Sequence, residues 1–412
     1  MTERWWLEWS GRCIDQGRWR AQVLRSLITL KALTYEPTGG IVAAPTMSLP
    51  EQPAGVRNWD YRYCWLRDAT FTLNALLLAG YTAEAVAWQD WLLRAVAGSP
   101  VDMQILYSVT GARRIDETEL PWLPGYRGAA PVRVGNAAAR QFQLDVYGEV
   151  MDTLHLARAA GLTPPPHAWQ IQRALLAFLE THWRDPDEGI WEVRGPRRQF
   201  THSKVMAWVA FDRAVKDAER NGLDGPVEAW RRTRDAIHAQ VCDQGFDASR
   251  NSFVPHYGTT ELDASLLLIP LVGFLPQGGD RVRWTIDAIQ RELMVDGLVL
   301  RYHTASGVDE LPPGEGVFLP CTFWLADCLS LAGRRAQAVA LFEQLLARCN
   351  DLGRMSKELD PRTHHLLGNF PQALTHIALV NTARVLSLPQ RQIEESSQKG
   401  ERPASAAPRG LA

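Results

Sequence analysis

Residues 58–68 combine side chains that suit recognition of a neutral, polyhydroxylated ligand. They read Asn-Trp-Asp-Tyr-Arg-Tyr-Cys-Trp-Leu-Arg-Asp, with four aromatic residues, two arginines and two aspartates. Aromatic faces stack on apolar ring faces, and Arg and Asp donate hydrogen bonds to neighbouring hydroxyls or accept them. The same residues also fit an aromatic core patch with a structural Arg-Asp pair. The stretch alone leaves both interpretations open.

Acidic residues further along the chain suggest paired-carboxylate chemistry. Glu192 follows Trp191, Glu315 lies between two glycines, and Glu358 follows Lys357. In such chemistry one carboxylic acid protonates a leaving group while a second carboxylate activates water. A carboxyl beside a Trp ring can have the raised pKa that a general acid needs. Because a loop glutamate is more often a solvated surface charge, the pattern gains weight only if these loops meet.

Signals for other catalytic classes are weak. The sequence has no nucleophile elbow, phosphate-binding loop, zinc-protease helix or dinucleotide fingerprint. The pair His364-His365 is isolated, and six cysteines without a Cys-x-x-Cys motif indicate buried free thiols, Cys64 among them. We therefore expect no metal and no cofactor.

Charge and hydropathy exclude two classes of partner. With 44 basic and 46 acidic residues, the chain has no electrostatic footprint for nucleic acid or an anionic membrane. The N-terminus lacks an apolar signal region, and no run of 18 apolar residues follows. These features predict a cytoplasmic protein that acts on a small molecule, and they leave its oligomeric state open.

Hydrophobic periodicity predicts twelve helices of two alternating kinds. Six are amphipathic, at about 18–33, 83–96, 167–183, 227–241, 281–294 and 335–349. Six are more apolar, at about 66–79, 142–160, 203–220, 262–274, 318–332 and 370–388. The third of these, 203–220, fits least well because it carries several charges. The simplest closed solution is a ring of six inner helices inside six outer ones.

The connections alternate as well. Links that leave the apolar helices are short, whereas those that leave the amphipathic helices are long and rich in polar and aromatic residues. Long loops in compact domains are usually functional, so we expect all six at one end, as the active face. We predict one domain over residues 1–388 and a disordered tail over 389–412, which is rich in Pro, Ser, Gln and charge.

Five motifs, in order along the chain, resemble glycoside hydrolase family 15, which includes glucoamylases, glucodextranases and trehalases. They lie at residues 58–68, 131–136 with 143–149, 189–195, 314–318 and 368–372. The resemblance covers about residues 20–388. It implies an all-α (α/α)6 barrel that hydrolyses α-glucosidic bonds with inversion and without a metal. It also implies that an N-terminal β-sandwich domain of bacterial relatives is missing here.

The resemblance assigns roles to individual residues. Tyr61, Trp65, Arg67 and Asp68 match the wall that holds a terminal glucose. Trp191 and Glu192 match the general-acid motif, which makes Glu192 the proton donor, and Glu315 matches a further pocket residue.

The general base of the family is the first Glu of a Ser-Glu-Glu run, but the sequence here is Ser-Lys-Glu, with Lys357 in that position. A protonated lysine cannot accept a proton from water. We therefore assign the base to Glu358.

The leading hypothesis is an exo-acting, glucoamylase-like hydrolase that releases glucose from oligosaccharides. A trehalase is the first alternative. A catalytically weak or inactive sugar-binding relative is the second, because of Lys357. A different helical barrel such as a terpene cyclase is disfavoured, since no Asp-rich magnesium motif is present.

Overall fold

Alternating apolar and amphipathic segments fold into two concentric layers of helices. The computed structural model describes residues 1–389, so all of the predicted tail except Pro389 lies outside the described residues. The described chain contains thirteen α-helices: α1 Thr2–Gly11, α2 Arg20–Ala32, α3 Ala69–Leu78, α4 Thr82–Ala95, α5 Asp145–Ala159, α6 His167–His182, α7 Thr201–Asn221, α8 Val227–Gln244, α9 Leu268–Leu271, α10 Asp280–Glu292, α11 Leu319–Leu331, α12 Arg335–Leu346 and α13 Ala373–Ser387.

The inner helices close into a ring. Helix α3 packs on α5, α5 on α7, α7 on residues 264–271, that segment on α11, α11 on α13, and α13 on α3 again. Helices α2, α4, α6, α8, α10 and α12 pack outside this ring. Every residue of α11 is buried, as a helix enclosed on all sides requires. The predicted (α/α)6 barrel is confirmed.

Two elements differ from the predicted helices. Residues 262–274 form a 3-10 turn, Ala264–Leu267, followed by the single turn α9. The Asp263 side chain caps the 3-10 turn by accepting from the Ser265 N–H, and Pro270 within α9 has no N–H for a continued helix. Helix α1 was not predicted; it packs by Trp9 against Tyr81, with ring centroids 4.1 Å apart.

Short antiparallel strands tie the long loops together. They are β1 Thr34–Tyr35, β2 Gly40–Ile41, β3 Cys64–Trp65, β4 Leu106–Tyr107, β5 Thr118–Glu119, β6 Arg133–Val134, β7 Phe246–Asp247, β8 Ser252–Phe253, β9 Met294–Val295, β10 Leu298–Val299, β11 Val317–Phe318, β12 Glu358–Leu359 and β13 Leu366–Leu367. Strand β12 pairs with β11 on one side and β13 on the other, so the last two long loops form one unit. None of the described helices is long and apolar enough to cross a membrane.

The charges that made the 203–220 segment an unusual inner helix are paired inside the protein. Arg213 on α7 is almost fully buried; its Nε lies 2.7 Å from Asp152 on α5, and Asp212 binds another of its nitrogens. Arg213 Nη2 also donates to the Val272 carbonyl at 2.8 Å. A buried guanidinium with this many acceptors cross-links α7 to two neighbours in the ring.

We predict that Arg213→Leu lowers the free energy of unfolding by about 3–5 kcal/mol, because it removes the buried guanidinium that binds both Asp152 and Asp212. Urea titration measures the change. Arg173→Leu is the matched control, since Arg173 pairs with the exposed Asp224 at 2.7 Å and its loss costs at most about 1 kcal/mol. Equal losses in the two variants would contradict the structural role of the buried pair.

Candidate active site

The long loops meet around a cavity of about 240 Å³ at one end of the helix ring. Five of the six loops contribute to its wall. The lining includes Trp59, Tyr61, Gln141, Trp191, Glu192, Arg301, Tyr302, Asp309 and Lys357. The loop after α8 instead lines a neighbouring cavity of about 280 Å³, which shares Trp191, Val193 and Tyr302 with the first. Polar and aromatic groups that are distant in sequence therefore converge, as predicted.

Glu192 presents a carboxylate at the cavity wall in a fixed orientation. Trp65 Nε1 donates to Glu192 Oε1 at 2.7 Å, and Arg67 Nη1 lies 3.2 Å from the same oxygen. The Glu192 backbone has a φ of 58°, in the left-handed region that a residue with a side chain rarely adopts. With 18 % of its side chain exposed, Glu192 is accessible from the cavity yet held by two donors.

Trp191 anchors the loop that carries Glu192. Its ring is buried, and Nε1 donates to Asp263 Oδ2 at 2.9 Å. Asp263 also accepts from the Ser265 N–H at 2.9 Å, at the start of the 3-10 turn. Burial, the largest effect, raises the pKa of Asp263 to about 6, against hydrogen bonds from Ser265 and Trp191 that lower it. Trp191 thus links the position of Glu192 to the inner ring.

The predicted glucose wall lies around and behind Glu192. Tyr61 lines the cavity, and its ring centroid is 5.1 Å from that of Trp65. Arg67 donates to the Ile190 carbonyl at 3.0 Å and to Asp68 Oδ1 at 3.2 Å. Trp65, Arg67 and Asp68 are next to the acid but are not among the residues that line the cavity. Their direct contact with a sugar remains a prediction.

Lys357 lines the same cavity, and its ammonium group is clamped by acids. Its Nζ contacts Glu51 Oε1 and lies 3.2 Å from Glu358 Oε1, and only 3 % of its side chain is exposed. The Tyr61 and Phe318 rings each lie 5.5 Å from Nζ. Burial alone would lower the pKa of Lys357, but Glu51, Tyr61 and Glu358 raise it above its ordinary value. Lys357 is therefore a fixed cation at neutral pH.

Glu358 lies behind Lys357, outside the cavity lining. Its side chain is fully buried, and Oε2 accepts from the Gly316 N–H at 2.9 Å. Burial, and next the charge of Glu51, raise the pKa of Glu358 well above its ordinary value. The pairing of Glu358 with Phe318 across β11 and β12 fixes this placement. The structure thus does not bring the two predicted catalytic carboxyls, Glu192 and Glu358, to the same cavity wall.

Glu315 also lies outside the cavity lining. It binds two arginines, Arg57 and Arg301, that line the cavity. Its carboxylate contacts Arg57 Nη1 at 3.3 Å and Arg301 Nε at 3.2 Å. Oxygens of Glu51, Glu315 and Glu358 lie within 4.8 Å of one another. Lys357 and the two arginines provide the positive charge that keeps these three acids together.

Comparison with known proteins identifies the family. The sequence profile of Glycosyl hydrolases family 15 matches residues 17–384. The chain belongs to glycoside hydrolase family 15.

Family 15 relatives of this chain include several trehalases. The trehalase of Mycobacterium tuberculosis is 44 % identical over 385 residues, which are 92 % of this chain and 56 % of the relative. That of Thermoplasma acidophilum is 40 % identical over 382 residues, or 93 % and 65 %. An isomaltose glucohydrolase of Kribbella flavida is 25 % identical over 354 residues, which are 80 % of each chain. The chain spans between about half and two thirds of the length of the trehalases that it matches.

Solved structures share the barrel. A glycosidase in complex with glucose superposes with a TM-score of 0.70 at 20 % identity, over 90 % of this chain and 97 % of the other. A bacterial glucoamylase complexed with acarbose superposes with a TM-score of 0.66 at 14 % identity, over 95 % and 58 %. At these identities the similarity establishes the fold alone.

Several residues of this family 15 site were not assigned from the sequence. Arg301, Tyr302 and Asp309 stood in a polar loop whose contacts no spacing rule specifies. Glu51 and Arg57 precede the first motif and carry no signal of their own. Their function becomes visible only as ion pairs across the loops, such as Arg57 with Asp309 at 2.7 Å.

We predict that Asp263→Asn changes how stability depends on pH. The carboxyl pKa is about 6 in the folded protein against an ordinary value of 3.8, so the wild type loses stability relative to the variant as pH rises from about 4 to 6. At about 1.4 kcal/mol per pKa unit, the difference amounts to roughly 3 kcal/mol. Urea titrations across this pH range measure it.

Asp247→Asn is the matched control, because hydrogen bonds from Ser249 lower the pKa of Asp247 and reverse the sign of the effect. Parallel pH profiles for wild type and Asp263→Asn would show that Asp263 is not a buried, titrating anchor.

Proposed function

We propose that this chain cleaves the α-glucosidic bond of a trehalose-type disaccharide, with Glu192 as proton donor. The observation that carries the proposal is the Glu192 carboxylate, which faces the cavity and is held by Trp65 and Arg67. A proton donor acts on a leaving oxygen only from a fixed position within hydrogen-bond reach. The Trp191 to Asp263 bond supplies this fixation from the other side of the loop.

Trehalose is favoured over malto-oligosaccharides as the substrate. Relatives of 40–44 % identity are trehalases, whereas the glucoamylases are similar in fold only. A cavity of about 240 Å³ suits one or two sugar rings better than an extended chain. The glucoamylase-like activity expected from the sequence is thereby replaced by its trehalase alternative, and the action remains that of an exo-enzyme.

Water activation is the weak point of the site. Lys357, not a carboxylate, lines the cavity where the family resemblance places the general base. A protonated amine has no lone pair to accept a proton from water. General-base catalysis contributes roughly 10²–10⁴ in rate, so hydrolysis by this chain is slow by about that factor. This observation also favours the second candidate function, a sugar-binding relative without turnover.

A reducing compartment fits the cysteines. All six are unpaired, and four of them are buried. Disulfides persist mainly in oxidising compartments, so we infer a cytoplasmic location.

We predict that Lys357→Glu raises the hydrolysis of trehalose by about a hundredfold, because it supplies a carboxylate at the cavity wall. Glucose release and the anomer first formed are followed by NMR, with maltose and isomaltose as competing substrates. Lys357→Gln is the matched control: it removes the cation without adding a base and should give no such gain. Thermal unfolding of both variants confirms that they fold.

The proton donor is tested by adding Glu192→Gln to Lys357→Glu. The double variant should lose the gained activity while it still binds trehalose by calorimetry, because the amide keeps the shape of the side chain but carries no transferable proton. Hydrolysis at the level of Lys357→Glu would show that Glu192 is not the acid. Trehalose binding by wild type with no turnover in any variant would favour the sugar-binding alternative.

A further inference from the structure

One part of the cavity wall carries positive charge, in contrast to the Glu192 carboxylate. Lys357, Arg301 and Arg57 line the cavity, whereas the acids that bind them, Glu51, Glu315 and Glu358, lie behind them. We call these three cations the cationic wall. Asp309 also lines the cavity, as do Glu188 and Glu192, and it is bound to Arg57 at 2.7 Å and to the Tyr302 hydroxyl at 2.6 Å. Three cations thus face the cavity, and of the four acids that pair with them only Asp309 lines it.

The cationic wall has hydrogen-bonding capacity to spare. Arg301 uses Nε and Nη2 on Glu315, and in the described part of the chain no hydrogen bond engages its Nη1. Arg301 and Lys357 both line the cavity. An anion in the cavity would accept a charge-assisted hydrogen bond from Arg301 Nη1, which is stronger than the bond that a neutral hydroxyl accepts. A neutral disaccharide does not provide this charge, but an oxyanion does.

Lys357 is also connected to the proton donor through one aromatic pair. Its Nζ lies 5.5 Å from the Tyr61 ring, Tyr61 contacts Trp65, and Trp65 donates to Glu192. The cation and the acid are therefore two walls of one reaction space. A group held at Lys357 shares the cavity with a bond that Glu192 protonates.

We infer that the nucleophile of this site is inorganic phosphate, and that the chain is a phosphorylase for its α-glucoside. The inference rests on the proposed function for the glucoside and its proton donor, and it changes only the nucleophile. An oxyanion already carries the electron pair that a general base must expose on water, so no base is needed. The Lys357 ammonium binds phosphate as a point charge.

The atoms balance as follows. A phosphate oxygen bonds to the anomeric carbon, the glycosidic C–O bond breaks, and the leaving oxygen takes the proton of Glu192. The sugar phosphate formed from hydrogenphosphate still carries one proton, which passes to the Glu192 carboxylate and restores the acid. One disaccharide and one hydrogenphosphate dianion give one hexose 1-phosphate dianion and one free hexose. Displacement with inversion makes the product the β-anomer.

The replacement of a carboxylate by Lys357 serves this reaction in two ways. A carboxylate would repel phosphate and activate water, whereas the ammonium attracts phosphate and leaves water unactivated. Glu51 and Glu358 keep Lys357 in place through the contacts described above, so the charge does not swing away from the cavity. The same residue that weakens hydrolysis favours phosphorolysis.

The test incubates the purified chain with trehalose, with and without inorganic phosphate. ³¹P NMR detects β-glucose 1-phosphate, and an enzymatic assay measures free glucose. We expect trehalose cleavage to increase at least about tenfold with phosphate, with one sugar phosphate formed for each glucose. Cleavage at the same rate without phosphate, and without sugar phosphate, overturns the phosphorylase inference and leaves the proposed function standing. No cleavage and no trehalose binding under either condition overturns both.

Variants at position 357 separate a specific role from a general salt effect. Lys357→Gln should lose the dependence on phosphate by at least about tenfold while it keeps its affinity for trehalose. Lys357→Glu should form free glucose only, because the new carboxylate repels phosphate and activates water.

Lys31→Gln is the matched control, since Lys31 on α2 pairs with Glu84 at 3.3 Å and does not line the cavity. This variant should form sugar phosphate as the wild type does. An unchanged phosphate dependence in Lys357→Gln would show that Lys357 does not hold the nucleophile.

Discussion

A buried ammonium group determines how the active end of this protein is built. Lys357 is shielded from water, so its charge must be balanced by carboxylates at fixed positions. Glu51 and Glu358 provide this balance, and they come from the first and last of the long loops. Glu315 lies close to both of these acids and would repel them. Arg57 and Arg301 bind Glu315 and reduce this repulsion. The loops therefore close around a set of charges in which each acid has a cationic neighbour.

The helix ring makes this closure possible. Inner helices enclosed on all sides leave their N-terminal loops at one end, where the polar side chains have no other element to pair with. Glu192 shows this pairing between loops most clearly. Its backbone is strained, and both hydrogen-bond donors to its carboxylate come from the first loop. Strained conformations persist where the surrounding structure over-determines them. Glu192, the proposed proton donor, is thus held by two loops and by the Trp191 anchor to the ring.

The sequence predicts the architecture, and of the two candidate carboxylates it predicts one, Glu192, that lines the cavity. Helical periodicity predicts eleven of the twelve ring segments as helices because burial imposes the same period on every enclosed helix. It fails at 262–274, where a capping aspartate and Pro270 replace the helix by a single turn. The neighbourhood of Glu192 was predictable because it lies within contiguous motifs. The network of Glu51, Arg57, Arg301 and Asp309 was not, since ion pairs between loops leave no periodic trace in a single sequence.

The pairing of β11 with β12 determines which side chain the cavity receives. Side chains alternate along an extended segment, so Lys357 faces the cavity while its neighbour Glu358 faces the Gly316 amide. Shifting this hairpin by one residue would exchange the two side chains and present an acid in place of the amine. A one-residue deletion upstream of the strand that shifted the pairing would therefore place a carboxylate where the amine now lies, without substitution of either residue. The length of this loop thus matters to the charge of the cavity as much as its amino-acid sequence does.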